Sequence, residues 1–127
     1  MVDRLKALGL MPEIISWKLR LFVPTGAAGP DILSTLMERH PLGSQAFYPL
    51  SGHPWLVIAC PDDDGRPATP VAFEARPAQG VNIGRNVCHA VLTPLKAVSD
   101  FLVVDRGGEG NNLEEFFFET VWTVTRD

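Results

Sequence analysis

Residues 32–45 read Ile-Leu-Ser-Thr-Leu-Met-Glu-Arg-His-Pro-Leu-Gly-Ser-Gln. The predicted fold class depends on whether this stretch begins as a strand or as a helix. As a strand, this stretch places Leu36, Glu38 and His40 on one side, because side chains two residues apart leave the same face of a strand. Its leucines and methionine would also suit a helix, so the period of the stretch alone leaves both structures open. The segments around it favour the strand.

The neighbouring segments are short and have the composition of β-strands. Upstream, Ile14–Val23 alternates apolar with polar residues, which is the period of a half-buried strand. Downstream, segments rich in β-branched or aromatic residues are separated by turns, among them Asp62–Pro67 and Thr93–Pro94. These segments are Ala46–Leu50, Trp55–Cys60, Val71–Arg76, Val81–Ile83, Val87–Leu92, Ala97–Asp105 and Glu114–Thr125. The sequence therefore predicts an all-β fold, either an antiparallel sandwich or a barrel.

The bulk composition limits the class of protein. The chain has 127 residues, of which 46% are apolar and 20% charged, so a single compact domain over residues 1–127 is expected. A net charge of −4 offers no basic surface to nucleic acid, and no apolar run approaches the roughly 20 residues that span a bilayer. The first residues lack the apolar core of a secretory signal, so a cytoplasmic protein is expected. Cys60 and Cys88 are then expected to be buried thiols.

A set of polar residues on these strands has the spacing of a ligand-binding site. Glu38 and His40 can converge on one ligand, Gln45 follows after a turn, and Gly52 comes later. This spacing resembles the first cupin motif, with Glu38 in place of its first histidine and Gln45 in place of its glutamate. His89 matches the histidine of the second cupin motif. In metal-binding cupins such a quartet holds a divalent transition metal, which stays an open alternative because glutamine is a weak ligand and the sequence requires no cofactor.

Five separated segments follow one another in an order typical of one cupin family. They are Glu38–Phe47, Gln79–Asn82, Arg85–Val87 with His89, Asp100–Leu102 and Asp105–Gly108. Together they resemble the bacterial ureidoglycolate lyases, and several motifs in order are more specific than any single one. The resemblance implies a cupin-like antiparallel β-barrel of the jelly-roll type, a homodimer, and the cleavage of ureidoglycolate to glyoxylate and urea in allantoin and purine breakdown. It also implies that the chain is short at its N-terminus.

The chemistry of ureidoglycolate assigns a role to three candidate binding residues. The substrate is a small carboxylate, and the guanidinium of Arg85 can bind it with two parallel hydrogen bonds. Gln45 and Asn82 can hydrogen-bond the ureido group, since a side-chain amide both donates and accepts. These three residues are the predicted substrate contacts.

The catalytic roles are assigned to the histidines and the glutamate. His89 or His40 is expected to be the base, because an imidazole titrates near neutral pH. Glu38 is expected to orient one of them or to protonate the leaving nitrogen. Asp105 and Arg106 are interpreted as a structural ion pair or a dimer contact.

Two alternatives to the lyase remain open at this point. The family usually shows Trp-His-His-Pro where this chain has Cys88-His89-Ala90-Val91, which favours a catalytically degenerate cupin that binds a small carboxylate. The other alternative is a metal-dependent cupin enzyme whose ligands are Glu38, His40, Gln45 and His89.

Overall fold

A computed structural model describes residues 15–21 and 32–125, and every regular element in these two ranges is a β-strand. In chain order the strands are β1 (Ile15–Leu21), β2 (Ile32–Arg39), β3 (Gln45–Pro49), β4 (Trp55–Cys60), β5 (Asp62–Asp63), β6 (Arg66–Pro67), β7 (Val71–Ala75), β8 (Val81–Ile83), β9 (Cys88–His89), β10 (Thr93–Pro94), β11 (Phe101–Val104) and β12 (Glu114–Thr125). Within these ranges no helix could cross a membrane. The all-β prediction is confirmed, and the ambiguous stretch from residue 32 is a strand.

The strands form two main sheets in which neighbours run antiparallel. The larger sheet has seven strands in the order β10-β4-β7-β1-β12-β2-β9, and the smaller has three in the order β11-β3-β8. The short strand β9 pairs with β2 through Glu38 and His89, and also with β4 through His89 and Ala59. β5 and β6 form a separate two-stranded ribbon. This antiparallel, strand-rich arrangement fits the cupin-like fold expected from the sequence.

Two segments predicted to be turns contain short strands. Thr93–Pro94 pairs with β4 at the edge of the larger sheet, where the missing N–H of a proline is tolerated. Asp62–Pro67 is a tight hairpin, and its two central residues, Asp64 and Gly65, both have positive φ angles, of 48° and 82°. Conversely, the strand predicted over Val87–Leu92 is reduced to two residues. The bond from the Ala90 N–H to the Ile58 carbonyl, 2.9 Å long, still ties this segment to β4.

Two hydrophobic clusters lie in the described part of the chain. The first consists of Met37, Leu56, Ile58, Cys60, Ala72, Cys88, Ala90 and Val124. The second joins the two sheets and consists of Phe47, Trp55, Ala75 and Ile83. Because side chains alternate along a strand, Cys88 of β9 enters the first cluster while His89 packs against Phe47 of the second. The alternation in β9 therefore turns one histidine toward the space between the sheets.

Charged side chains fix the end of β2, directly before His40. The guanidinium of Arg39 forms ion pairs with Glu114 and with Asp62, the second at 3.3 Å, and lies 5.1 Å from the ring centre of Phe116. Its side chain is 15% exposed, so these contacts hold it against the sheet. The position of the backbone that carries His40 is thereby fixed.

Candidate active site

Three of the predicted residues meet in the space between the two sheets. Glu38 of β2 stands directly opposite His89 of β9 in the strand register, and His40 follows the last residue of β2. One ligand atom from each residue lies within 4.8 Å of the other two. The two imidazole rings have their centres 5.5 Å apart. The structure therefore brings together the three side chains that the sequence analysis assigned to catalysis.

Hydrogen bonds to backbone carbonyls set the tautomer of both imidazoles. His40 Nδ1 lies 2.6 Å from the Asn112 carbonyl oxygen, and His89 Nδ1 lies 3.1 Å from the Ala90 carbonyl oxygen. A carbonyl oxygen only accepts, so in the neutral form of either ring Nδ1 carries the hydrogen and the lone pair is on Nε2. Both Nε2 atoms are buried and lack a hydrogen-bond partner among the described residues.

Burial keeps His89 neutral. Its side chain is 2% exposed, and this burial is the main reason why the pKa of His89 lies below its ordinary value. The Ala90 carbonyl and the charge of Glu38 act in the opposite direction but do not outweigh burial. At neutral pH, His89 therefore presents an unprotonated Nε2. This atom can take up a proton or bind a metal ion.

The smaller sheet contributes Gln45, which is 8% exposed. Gln45 lies on the same face of β3 as Phe47, whose ring packs edge-on against His89 with centres 6.0 Å apart. The Gln45 Nε2 donates to Asp105 Oδ2 at 2.9 Å, while its Oε1 is buried with no hydrogen-bond partner among the described residues. The predicted fourth member of the set thus lies on the face of the smaller sheet that packs against His89.

Asp105 is an exposed residue that lines the same open cleft as Asn82 and binds Gln45, a contact that the sequence did not predict. It follows β11, where the pairing of Val104 with Ala46 places it next to Gln45. Burial acts to raise the pKa of Asp105, but hydrogen bonds from the Gln45 amide and the Arg106 N–H, with the two nearby imidazoles, hold it below its ordinary value. The guanidinium of Arg106 itself donates to the Glu109 carbonyl, at 3.1 Å. Only the register of β11 against β3 reveals this neighbourhood, and the local sequence carries no signal for it.

The other two predicted substrate contacts lie elsewhere. Asn82 pairs with Ala46, and the adjacent pair is Ile83 with Gln45. Because adjacent pairs alternate between faces, the Asn82 side chain lies on the face of the smaller sheet opposite to that of Gln45. There it lines an open cleft of about 640 Å³. Arg85 is exposed in the turn between β8 and β9. The structure does not bring either side chain to the three clustered residues.

The turn that carries Arg85 is nevertheless tied to the site. The N–H of the next residue, Asn86, donates to the His40 carbonyl at 2.9 Å. Asn86 has a φ of 66°, in the left-handed region where asparagine is among the better tolerated residues. The backbone of this turn therefore lies against the segment that carries His40.

Comparison with known proteins identifies the family. Residues 14–125 match the family described as ureidoglycolate lyase. The chain belongs to the ureidoglycolate lyase family. This membership confirms the resemblance carried by the five sequence segments.

Individual relatives bear the same name. A protein of Chelativorans sp. (strain BNC1), named ureidoglycolate lyase, is 66% identical over 89 residues, which cover 70% of this chain and 54% of that protein. Ureidoglycolate lyase 2 of Rhizobium meliloti (strain 1021) is 60% identical over 96 residues, which cover 74% of this chain and 59% of that protein. An Agrobacterium fabrum relative, also named ureidoglycolate lyase, is 67% identical over 89 residues. The chain thus spans little more than half the length of these relatives.

The donor set of this family member suits a divalent transition metal. A nitrogen of each imidazole and a carboxylate oxygen converge, and Gln45 Oε1 is a further buried oxygen with no hydrogen-bond partner among the described residues. Imidazole and carboxylate are common ligands of zinc, iron, copper and nickel, and an amide oxygen is a weaker one. The residues therefore fit such an ion, as they fit a substrate that donates hydrogen bonds.

Proposed function

We propose that this chain has ureidoglycolate lyase activity and cleaves ureidoglycolate to glyoxylate and urea in the breakdown of allantoin and purines. One observation carries the proposal: the side chains of Glu38, His40 and His89 converge, with one ligand atom of each within 4.8 Å of the others, in a member of this family. An imidazole with a free lone pair, held near a carboxylate, can act as a general base.

The reaction needs one proton to move between two atoms of the substrate. Ureidoglycolate carries a hydroxyl, a carboxylate and the ureido nitrogen on one carbon. When a base removes the hydroxyl proton, the oxygen forms a carbonyl, the carbon–nitrogen bond breaks, and its electron pair leaves with the nitrogen. A proton delivered to that nitrogen completes urea. The sum consumes no other reactant and needs no change of oxidation state in the protein.

His89 is the proposed base. Its Nε2 is unprotonated because Nδ1 donates to the Ala90 carbonyl, and burial keeps the ring neutral. The proton that it takes up returns to the departing nitrogen. Glu38, directly opposite His89, stabilises the imidazolium that forms between these two steps. His40, with its Nε2 3.8 Å from a Glu38 oxygen, is the second imidazole within reach of the same proton.

A metal ion would alter the chemistry but not the set of residues. Glu38, His40 and His89 would hold it, with the Gln45 amide oxygen as a weaker ligand. When bound, it would supply Lewis acidity that polarises the hydroxyl and carboxylate oxygens of the substrate. No cofactor is otherwise part of the proposal.

The substrate carboxylate is assigned to Arg85. Its turn is fastened to the His40 carbonyl through Asn86, and the exposed guanidinium is free to reach a ligand that enters beside His40. Gln45 is proposed to contact the ureido group. The position of Asn82 on the opposite face of β3 and β8 argues against the same role for it.

A homodimer in the cytoplasm is also part of the proposal. The edge strand β11 exposes Leu102, Val103 and Val104, at 54%, 44% and 58%, and one of its edges has no partner strand among the described residues. An apolar edge of this kind favours pairing with another chain. The net negative charge supports the absence of a nucleic-acid partner.

The test is a turnover assay with purified protein and ureidoglycolate, in which glyoxylate and urea are both quantified. We expect His89→Ala to lower kcat by roughly 100-fold or more, because a positioned base contributes about that much. His53→Ala is the matched control, since His53 lies in the turn before β4, outside the site. Equal activity of wild type and His89→Ala would contradict the assignment of the base. Binding of glyoxylate without turnover would favour the non-catalytic carboxylate binder.

A further inference from the structure

Asp105 and Gln45 form a hydrogen-bonded pair whose geometry fixes what the site offers to its occupant. A side-chain amide can be turned over with almost no change in shape, which exchanges the positions of its accepting oxygen and its donating NH2 group. The direction in which the Gln45 amide faces therefore depends on its partner. That partner is a carboxylate, which only accepts.

Both oxygens of Asp105 are in use. Oδ1 accepts from the Arg106 N–H at 2.7 Å, and Oδ2 accepts from the Gln45 Nε2 at 2.9 Å. One oxygen of the carboxylate thus accepts from the backbone N–H of Arg106, and the other accepts from the amide nitrogen of Gln45. With Nε2 committed to Asp105, the Gln45 oxygen is left on the other side of the amide, buried and without a partner among the described residues.

The result, among the described residues, is a cluster of acceptors, with the exposed Arg85 as the donor assigned to the substrate carboxylate. In their neutral forms His40 and His89 each offer a lone pair on Nε2, Glu38 contributes a carboxylate, and Gln45 contributes an amide oxygen. Buried acceptors that lack donors are costly, so the occupant must supply positive charge or N–H and O–H groups. The hydroxyl and ureido groups of ureidoglycolate supply such donors. A divalent cation would supply the positive charge.

We propose that Asp105 is a positioning residue that holds the Gln45 amide with its oxygen toward the site, so that the site selects an occupant rich in hydrogen-bond donors or positive charge. The proposal rests on the proposed function only for its kinetic consequence. The orientation of the amide is a property of the free protein. Asp105 does not contact the reacting atoms and acts through Gln45.

The substitution Asp105→Asn isolates this role. It keeps the size of the side chain, but one of the two accepting oxygens is replaced by an NH2 group, which donates. When the remaining oxygen keeps the shorter bond to the Arg106 N–H, the new amide presents an NH2 group to Gln45. The Gln45 amide then turns over and directs its own NH2 into the site. We expect kcat/KM to fall roughly 10- to 100-fold, the usual effect of removing a group that orients a ligand.

The decisive variant exchanges the two groups. In Gln45→Glu combined with Asp105→Asn, the NH2 at position 105 donates to one oxygen of the new carboxylate, whose other oxygen faces the site as an acceptor. The net charge of the pair is unchanged. We expect the double variant to recover at least about tenfold in kcat/KM over either single variant, which is a strong non-additive coupling. Gln45→Glu alone places two carboxylates against each other and is expected to lose activity.

The control is Asp100→Asn, the same substitution at an exposed aspartate outside the site. A second readout, independent of turnover, is the side-chain NH2 signal of Gln45 in ¹⁵N-labelled free protein. We expect slow solvent exchange in wild type and in Asp100→Asn, and a shifted signal in Asp105→Asn. Wild-type activity and an unchanged signal in Asp105→Asn would overturn the proposal. It would also be overturned if the loss of kcat/KM in the double variant were the sum of the two single losses, expressed as free energies. An inactive wild type with the expected change of signal would refute the lyase assignment and leave the positioning role supported.

Discussion

Replacing Trp55 tests whether contacts between aromatic side chains hold the two sheets together. Trp55 of β4 is 2% exposed, and its indole makes edge contacts with Phe47 of β3 and Phe101 of β11, at centre distances of 6.3 and 5.2 Å. Its Nε1 donates to the Gln79 carbonyl at 3.2 Å. One residue of the larger sheet therefore contacts two strands of the smaller one.

The expected loss follows from these contacts. A buried tryptophan removes about 200 Å² from water, which at roughly 25 cal/mol per Å² gives an upper limit of about 5 kcal/mol. Each edge contact adds roughly 0.5 to 1.5 kcal/mol, while the alanine that remains and partial collapse of the cavity reduce the loss. We expect Trp55→Ala to lower the free energy of unfolding by about 4 kcal/mol, inside the usual range of about 3 to 5 for such a change.

The assay is urea unfolding followed by far-ultraviolet circular dichroism, with free energies from linear extrapolation. Trp55→Phe keeps most of the ring and gives a measurable variant if Trp55→Ala does not fold; we expect it to lose about 1 to 2 kcal/mol. Phe117→Ala is the control, since Phe117 is 74% exposed and its loss should stay below about 0.5 kcal/mol. A loss at Trp55 no larger than that at Phe117 would refute the reasoning.

Two further predictions concern titration and thiol chemistry. Because burial lowers the pKa of His89 in the free protein, the proposed base stays unprotonated below the usual imidazole range, so the acid limb of the kcat/KM profile should lie below about pH 6.5. As the pH falls, the unfolded chain binds this proton before the folded chain does, so the free energy of unfolding should decrease below about pH 6.5. His89→Gln should reduce that decrease, measured by urea unfolding at several pH values. The hydrogen bond to Cys88, and then burial, raise the pKa of Cys60. A thiol reagent should therefore leave folded Cys60 unmodified and label it after unfolding; stoichiometric labelling of Cys60 in folded protein would contradict this.

The part of the site that sequence could predict depends on local alternation. Glu38 and His40 are two residues apart, and the strand period alone places them on one side. The likeness to cupin motifs then supplied His89, and the strand register places it directly opposite Glu38. The family resemblance, carried by motifs along most of the chain, is confirmed by the match over residues 14–125.

The rest depends on register between distant strands, which no local pattern encodes. Asn82 lies one residue from Ile83, and this single step decides which face of the sheet it joins. Asp105 reaches Gln45 across 60 residues of sequence through the pairing of β11 with β3. Its neighbour Arg106 suggested an ion pair, whereas the carboxylate is taken by an amide and a backbone N–H.

The two-residue strand β9 makes the position of one side chain depend on two other strands. His89 is the residue through which β9 pairs with both β2 and β4, strands that are far from it in sequence. Pairing such distant segments costs loop-closure entropy, which the contacts of the folded chain must offset. The imidazole of His89 therefore lies opposite Glu38 only where both pairings are formed. A chain in which either pairing is broken lacks the proposed base, so the proposed activity would report an intact β9.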